Sequence, residues 1–458
     1  MKMLSKKKHS RTSACKVCRR AVRRSSRRTI RVLSVLFACL MLGLVSAGCA
    51  AGQGNEPASR KGLFSGTAAQ GGEPVSRTGW LSSSAAQGGE PVSRTGLYFD
   101  TAVEITIYGT DKERANGLLD KCMDLAAHYD RDLFSAYVPT SLLSSLNRDC
   151  VLSVTHASDP DFLRLLEMSL DLERETDGAF SPCLGGLSMI WNFTGDPSGP
   201  VPPADEIRQA LTHTDSSTIR IAEGAGQLLS FDALPEAGDF TFMTADDPGA
   251  AAGSDPVFTA ADDPGAAAGS DPAAGGDDGF LITLTDVGLM LDLGGIAKGF
   301  AADRIKDRLL EAGVTSAIIN LGGNVLLVGS KPDGSDFRVG IRDPESAADA
   351  GGTEHITRTV TLSDRSVVTS GTYERYFEED GVCYHHILDP ATGYPADSGL
   401  VSVTVISADS ANGDALATAC LVLGQQKGQA LIERLPGTEA LFIAADGTET
   451  RTAGFPAQ

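Results

Sequence analysis

The stretch that most limits how this chain can fold is Leu291-Asp292-Leu293-Gly294-Gly295-Ile296-Ala297-Lys298-Gly299-Phe300-Ala301-Ala302-Asp303. The apolar run from Leu289 to Leu293 reads as a buried strand, after which Gly294 and Gly295 permit a sharp turn and close backbone approach to a ligand. A helix follows, with Ala301, Ile305 and Leu309 on one face and Gly313 just past its end. Strand, glycine turn and helix N-terminus together point free backbone N–H groups at an anion, usually a phosphate, and Lys298 adds a point charge there. An ordinary strand-to-helix corner has the same appearance, so a second feature has to decide between them.

That feature is Asn412-Gly413-Asp414-Ala415-Leu416-Ala417-Thr418-Ala419. The pattern is helical, which puts the Asp414 carboxylate and the Thr418 hydroxyl on one face at i, i+4. The residues between them are small or apolar, and two hard oxygens presented in this way suit magnesium, which keeps waters and substrate phosphates in its shell. Taken singly, Asp414 also reads as an acid in a helix first turn and Thr418 as a packed β-branched residue.

Two further blocks complete the set. One is Ser370-Gly371-Thr372-Tyr373-Glu374-Arg375-Tyr376, running on to Tyr384-His385-His386-Ile387-Leu388-Asp389-Pro390-Ala391-Thr392-Gly393-Tyr394-Pro395. The other is Leu133-Phe134-Ser135-Ala136-Tyr137-Val138-Pro139-Thr140-Ser141, through Leu146-Asn147. In content and order the four blocks resemble the ApbE-like family of FAD:protein FMN transferases, over roughly residues 96 to 446. The resemblance implies an α+β fold of the T-fold-related flavin transferase type. It also implies magnesium-dependent transfer of the FMN moiety of FAD to a threonine hydroxyl of an exported acceptor protein, through a phosphoester bond and with release of AMP. The alternatives are an FAD pyrophosphatase giving free FMN and AMP, or a non-catalytic FAD-binding lipoprotein.

Carried over residue by residue, the family's metal ligands fall on Asp414, Thr418 and a main-chain oxygen of the glycine turn, here assigned to Gly295. His386 is the implied proton acceptor, with Asp389 and Asp414 as other candidates, because imidazole titrates close to working pH. His385 faces the other way on a strand and is expected to be dispensable. FAD contacts are implied for Phe99, Tyr137, Ala179, Phe180, Ser181, Asp292, Lys298 and Ile387, with Tyr137 a flat wall for an aromatic ligand. Ser181 and Cys183 depart from the commoner Asp and Thr of the family's turn at Asp177-Gly178-Ala179-Phe180-Ser181-Pro182. Asp292 could bond a ribose hydroxyl or an adenine amino group, or cap the turn, and Asn147 could touch ligand or cap backbone. Arg375 has Glu374 and Glu378 as candidate partners, and Trp191 reads as core. Family enzymes recognise a Ser/Thr-Gly-Ala-Thr-like segment following an acid; this chain has no good copy, so the acceptor is expected to be another protein.

Charge separates the ends of the chain. Residues 1–48 hold 13 of the 39 Lys+Arg and none of the 59 acids, so a product beginning at Cys49 carries a balance of −33. Such acidity argues against nucleic acid or anionic lipid as a partner bound through net charge. The basic stretch to Arg31, the apolar run Val32 to Val45 and Ser46-Ala47-Gly48-Cys49 read as an export signal ending in a lipoprotein cleavage box. Residues 1–48 are therefore expected to be removed and Cys49 lipidated, leaving a membrane-anchored extracytoplasmic protein. Of the nine cysteines, Cys15, Cys18 and Cys39 fall in that signal, while Cys122, Cys150, Cys183, Cys383 and Cys420 read as mostly buried thiols.

A 17-residue repeat follows, with Gly54-Asn55-Glu56-Pro57 recurring as Gly71-Gly72-Glu73-Pro74 and Gly88-Gly89-Glu90-Pro91. Residues 49–95, poor in large apolar groups, read as a flexible tether, 96–446 as the catalytic body and 447–458 as a tail. Inside the body, residues 235–278 carry a 16-residue acidic repeat, Ala245 to Pro256 and Ala261 to Pro272, read as a disordered insertion at a loop tip. Elsewhere Val103, Ile105 and Ile107 mark a half-buried strand, Asp111 and Asp159-Pro160 open helices, and Ala317–Leu321, Val325–Val328 and Val401–Ile406 read as strands. Strands and helices intermix without a regular βαβ period, which argues α+β.

Overall fold

The computed structural model describes residues 90–155, 159–194, 200–223, 279–347 and 355–456. Cys49, the segment read as an export signal, most of that read as a tether and the acidic repeat at 235–278 lie outside the described residues.

The first half of the chain builds strands β1 (Val92–Tyr98) and β2 (Thr101–Ile107) and helix α1 (Lys112–Ala127), which runs on into a π-helical turn at His128–Leu133. Then come α2 (Leu142–Asp149), β3 (Val151–Thr155), α3 (Pro160–Glu175), α4 (Gly185–Trp191), α5 (Ala204–Leu211), β4 (Ile219–Glu223) and β5 (Gly279–Leu284). The second half holds α6 (Ala297–Glu311), β6 (Ser316–Leu321), β7 (Asn324–Gly329), β8 (Phe337–Arg342), the one-turn α7 (Pro344–Ala347), β9 (Ile356–Leu362) and β10 (Ser366–Gly371). It ends with β11 (Tyr376–Glu379), β12 (Val382–His385), β13 (Leu400–Ser407), α8 (Ser410–Ile432), β14 (Glu439–Ala444) and β15 (Glu449–Arg451).

Eight strands form one antiparallel sheet in the order β1-β2-β6-β7-β10-β13-β14-β15. Its inner strands are covered on both faces: every residue of β6 and β13 is buried, the polar Asn320, Ser402 and Thr404 included. Val103, Ile105, Ile319 and Val405 face the layer that holds α1, α6 and α8. Ile318, Val325, Leu327 and Leu441 face the β8–β9 ribbon through Phe337, Val339 and Ile341. A smaller sheet, β3-β5-β4, and the β11–β12 hairpin complete the α+β architecture expected from the sequence.

Three details differ from the sequence reading. Leu289, Leu291 and Leu293 are buried but not in a strand: the backbone bonds of this stretch go to Asn147, which accepts from Leu291 N (2.8 Å) and donates to Leu291 O (2.9 Å), and to Gly185 and Pro182. Asn147 thus satisfies backbone that a neighbouring strand would otherwise pair. The sheet starts at Val92, inside the stretch read as tether. At the other end the tail is part of the fold, since β15 pairs with β14 and Phe455 is buried. Helix α6 does end as expected: Val314 N donates to Leu309 O and Gly313 N to Leu310 O, with Gly313 at φ +77.

Candidate active site

The site begins where α6 and α8 cross. Gly299 lies so close to α8 that a Cβ there would sit 2.3 Å from Ser410 O, so only glycine permits this approach. At that distance the helices cap each other. The Asp303 carboxylate accepts from Ser410 N (2.8 Å) and Ala411 N (2.9 Å), satisfying the first turn of α8. In return Asp414 Oδ2 accepts from Gly299 N (3.1 Å), in the first turn of α6. Gly299 N, one of the N–H groups expected to face a phosphate, is thus taken by the chain's own carboxylate, which the helix dipole favours. Lys298 Nζ lies 3.6 Å from the same oxygen and donates to Gly294 O (3.2 Å).

Asp414 is 3% exposed. Burial pushes its carboxyl above the usual range against the pull of Lys298 and Gly299 N–H, so these contacts compensate its charged form only in part. One turn on, Thr418 Oγ1 donates to Asp414 O (3.2 Å) and lies 3.4 Å from Ser370 Oγ on β10. The Gly295 backbone passes beside it, since a Cβ at Gly295 would be 3.9 Å from Thr418 Oγ1 and 3.3 Å from the Phe180 ring. Carboxylate, hydroxyl and glycine backbone meet in one corner, and the under-compensated anion among hard oxygens fits a divalent cation such as magnesium.

This corner opens into a cavity of about 1040 Å³, the size of a large ligand pocket. It is lined by Phe99, Tyr137, Ala179, Phe180, Ser181, Asp292, Gly295, Lys298, His386, Ile387, Asp414 and Thr418, whereas Asn147 and the alternative base Asp389 lie outside it, Asp389 accepting from Ala391 N (2.9 Å) and Thr392 Oγ1 (3.2 Å) in its own turn. Tyr137 is 51% exposed and presents its ring to the space. Asp292 resolves toward the turn, accepting from Gly294 N (2.8 Å) and Ser188 Oγ (2.6 Å). Ser181 bonds Glu173 and accepts from Cys183 N (3.2 Å), so it also braces its own loop.

The β11–β12 hairpin and the residues beside it supply the remaining chemistry. His386 N donates to Arg375 O (3.0 Å), while the ring Nδ1 is buried without a partner among the described residues. Burial, then Arg375, His385 and Lys298, push its pKa down to about 3, so the ring is neutral and its tuning is far larger than the sequence suggested. His385 is buried, donates from Nε2 to Ala396 O (3.0 Å) and is lowered to about 4 by burial, which makes it a structural residue. Arg375 reaches toward Phe99 O (3.5 Å) and Asp100 (3.9 Å). Glu374 lines the cavity, where partial removal from water raises its carboxyl against the pull of Lys298, Arg342 and Arg375, although the residue as a whole is exposed. Trp191 is core, donating to Gly393 O (2.8 Å) and stacking on Phe193.

Ser370, Glu374 and Arg342 also line the cavity and were not singled out as site residues from the sequence. The block containing Ser370 and Glu374 was the available signal. Arg342, at the end of β8, carries none.

Comparison with known proteins agrees with this geometry. The family model described as "ApbE family" matches residues 99–251 and 259–442. The FAD:protein FMN transferase of Treponema pallidum is 33% identical over 331 residues, spanning 70% of this chain and 76% of that protein. That of Klebsiella pneumoniae is 46% identical over 162 residues, 35% of this chain and 48% of that protein. Among solved structures, the ApbE protein of Thermotoga maritima matches with a TM-score of 0.60 at 26% identity, covering 80% of this chain and 98% of its own. Sequence blocks, architecture and cavity agree, and the chain belongs to the ApbE family.

Proposed function

We propose that this protein is an FAD:protein FMN transferase: it moves the FMN half of FAD to a threonine hydroxyl on another exported protein and releases AMP. The observation that carries the reading is the convergence, in one cavity, of a hard-oxygen corner, a neutral histidine and cationic side chains. Asp414, Thr418 and the Gly295 carbonyl would hold magnesium, which when bound neutralises phosphate oxygens and polarises the phosphorus. Lys298 and Arg375 add positive charge for the pyrophosphate, and Tyr137 and Phe99 offer aromatic surface to the flavin. His386 takes the threonine proton as the new O–P bond forms and the bond to the AMP phosphate breaks, with AMP as the leaving group. Depression of the histidine pKa keeps it a free base, and the anionic substrate raises its proton affinity when it arrives. The export signal and Cys49 support an extracytoplasmic, lipid-anchored location.

The test supplies the protein with FAD, magnesium and an acceptor bearing the family's threonine segment, and reads protein mass and released AMP. An FMN adduct on threonine, abolished by chelation, is expected. AMP with free FMN and no adduct would make the protein a hydrolase; tight FAD binding with neither product would make it a carrier.

A further inference from the structure

Asn324, the first residue of β7, follows the Gly322-Gly323 turn, whose φ values of +64 and +95 return the chain into the sheet. Its side chain is 1% exposed and lines the cavity. Two fully buried serines from two other elements hold it, Ser366 at the start of β10 and Ser410 at the start of α8. Ser366 Oγ donates to Ser410 Oγ (3.1 Å), and Ser410 Oγ donates in turn to Asn324 Oδ1. A hydroxyl has one proton. Because Ser410 accepts from Ser366, its own proton goes to the amide and selects the amide oxygen. The nitrogen must then face the other way, so the orientation of the Asn324 amide is set by groups on β10 and α8.

That nitrogen, Nδ2, has no hydrogen-bond partner among the described residues. A buried donor left unpaired is unfavourable, and such groups are uncommon in folded proteins. The group it faces is Asp414. Burial raises that carboxyl, and the Asn324 amide acts with Lys298 and Gly299 N–H to lower it. Asp414 Oδ2 is already engaged by Gly299 N (3.1 Å) and Lys298 Nζ (3.6 Å), but a carboxylate has further lone pairs to offer.

We propose that Asn324 is a positioning residue: its Nδ2 donates to the Asp414 carboxylate when a divalent cation binds there, and the Ser366–Ser410 pair keeps the amide turned for that bond. The inference rests on reading the corner of Asp414 and Thr418 as a cation site. A ligating carboxylate holds its metal better when a neighbouring donor fixes its orientation. A neutral amide does this without adding a positive charge that would repel the cation. Asn324 acts in this way through Asp414, and the orphaned donor gains its partner as the site fills.

Manganese binding in the absence of FAD tests this in the full chain, read from the electron paramagnetic resonance of the free ion. The parent is expected to bind manganese and Asp414→Asn to lose that binding. Asn324→Leu, close in shape but without the donor, should bind about ten- to a hundredfold more weakly while melting in chelator within a few degrees of the parent. Ser366→Ala, which removes only the far end of the chain of hydroxyls, should weaken binding about two- to tenfold. FAD affinity measured in chelator should be the same in Asn324→Leu as in the parent. Parental manganese affinity in Asn324→Leu, with Asp414→Asn defective, overturns this inference and leaves the cation site standing. A parent that does not bind manganese, or binds it equally well without Asp414, removes the cation site and this inference together. Loss of FAD affinity in chelator overturns it in favour of an amide that bonds the ligand directly. Should Asn324→Leu fail to fold, Ser366→Ala decides, and parental manganese affinity there overturns the inference.

Discussion

Replacing Asp414 by asparagine separates what this residue does for the fold from what it does for chemistry. The carboxylate is 3% exposed, accepts from Gly299 N and lies 3.6 Å from Lys298. At that distance the ion pair is worth about 4 kcal/mol at an effective dielectric near 20, and the charge-assisted bond about 1.5–3 kcal/mol. Removing two charges from water costs several kcal/mol each, and the upward shift of the Asp414 pKa says that burial outweighs its contacts. Asparagine keeps an oxygen for Gly299 N–H. Lys298 is not stranded, because its side chain is 26% exposed and retains Gly294 O. Asp414→Asn should therefore lower stability by no more than about 1 kcal/mol and can raise it. Its catalytic effect should be large: losing the charged group of the hard-oxygen corner removes about 4 kcal/mol of metal-dependent stabilisation, roughly a thousandfold in rate. The assay pairs denaturant unfolding with the rate of adduct formation across a magnesium series. A variant destabilised by more than about 3 kcal/mol, or one with near-parental rate and magnesium response, would refute the reasoning.

Asp303→Ala removes the cap of α8 and should cost about 2–4 kcal/mol in chemical denaturation, two charge-assisted bonds being lost at once. Gly299→Ala forces a Cβ against Ser410 O and should cost about 1–3 kcal/mol while weakening magnesium dependence, read as a higher metal concentration for half-maximal rate. His386→Ala should leave FAD binding within about threefold of the parent by fluorescence titration, while slowing adduct formation by about 10²–10⁴-fold, the usual contribution of a positioned base. His385 is buried neutral with its pKa lowered to about 4 from 6.5, so its contribution to stability is complete above pH 6.5 and is lost as pH falls toward 4. His385→Asn should flatten that acid limb in melts recorded from pH 7 to pH 4, and an unchanged limb would assign the acid sensitivity to other groups.

Much of the site was legible because its residues are tied to local pattern. Asp414 and Thr418 follow from helical spacing, and the glycine turn from its composition. The strand expected at Leu289–Leu293 failed for a physical reason: an apolar run signals burial, but only a neighbouring strand makes it a sheet member, and here Asn147 from another element satisfies the backbone. At the helix N-terminus expected to face a phosphate, one N–H, that of Gly299, is taken by Asp414, which comes more than a hundred residues later. Reciprocal capping by Asp303 and Asp414 is a contact between two helices and leaves no mark in either one. The depth of the His386 pKa shift depends on enclosure and on Arg375 and Lys298, which only the assembled cavity brings together.

The most direct test of the account is anomalous scattering from manganese in crystals grown with FAD. One strong peak is predicted at about 2.0–2.2 Å from the Asp414 carboxylate, Thr418 Oγ1 and the Gly295 carbonyl, with the FAD pyrophosphate completing its shell. A peak anywhere else, or FAD seated with its pyrophosphate away from that corner, would contradict the assignment of this cavity as the place where FMN is transferred.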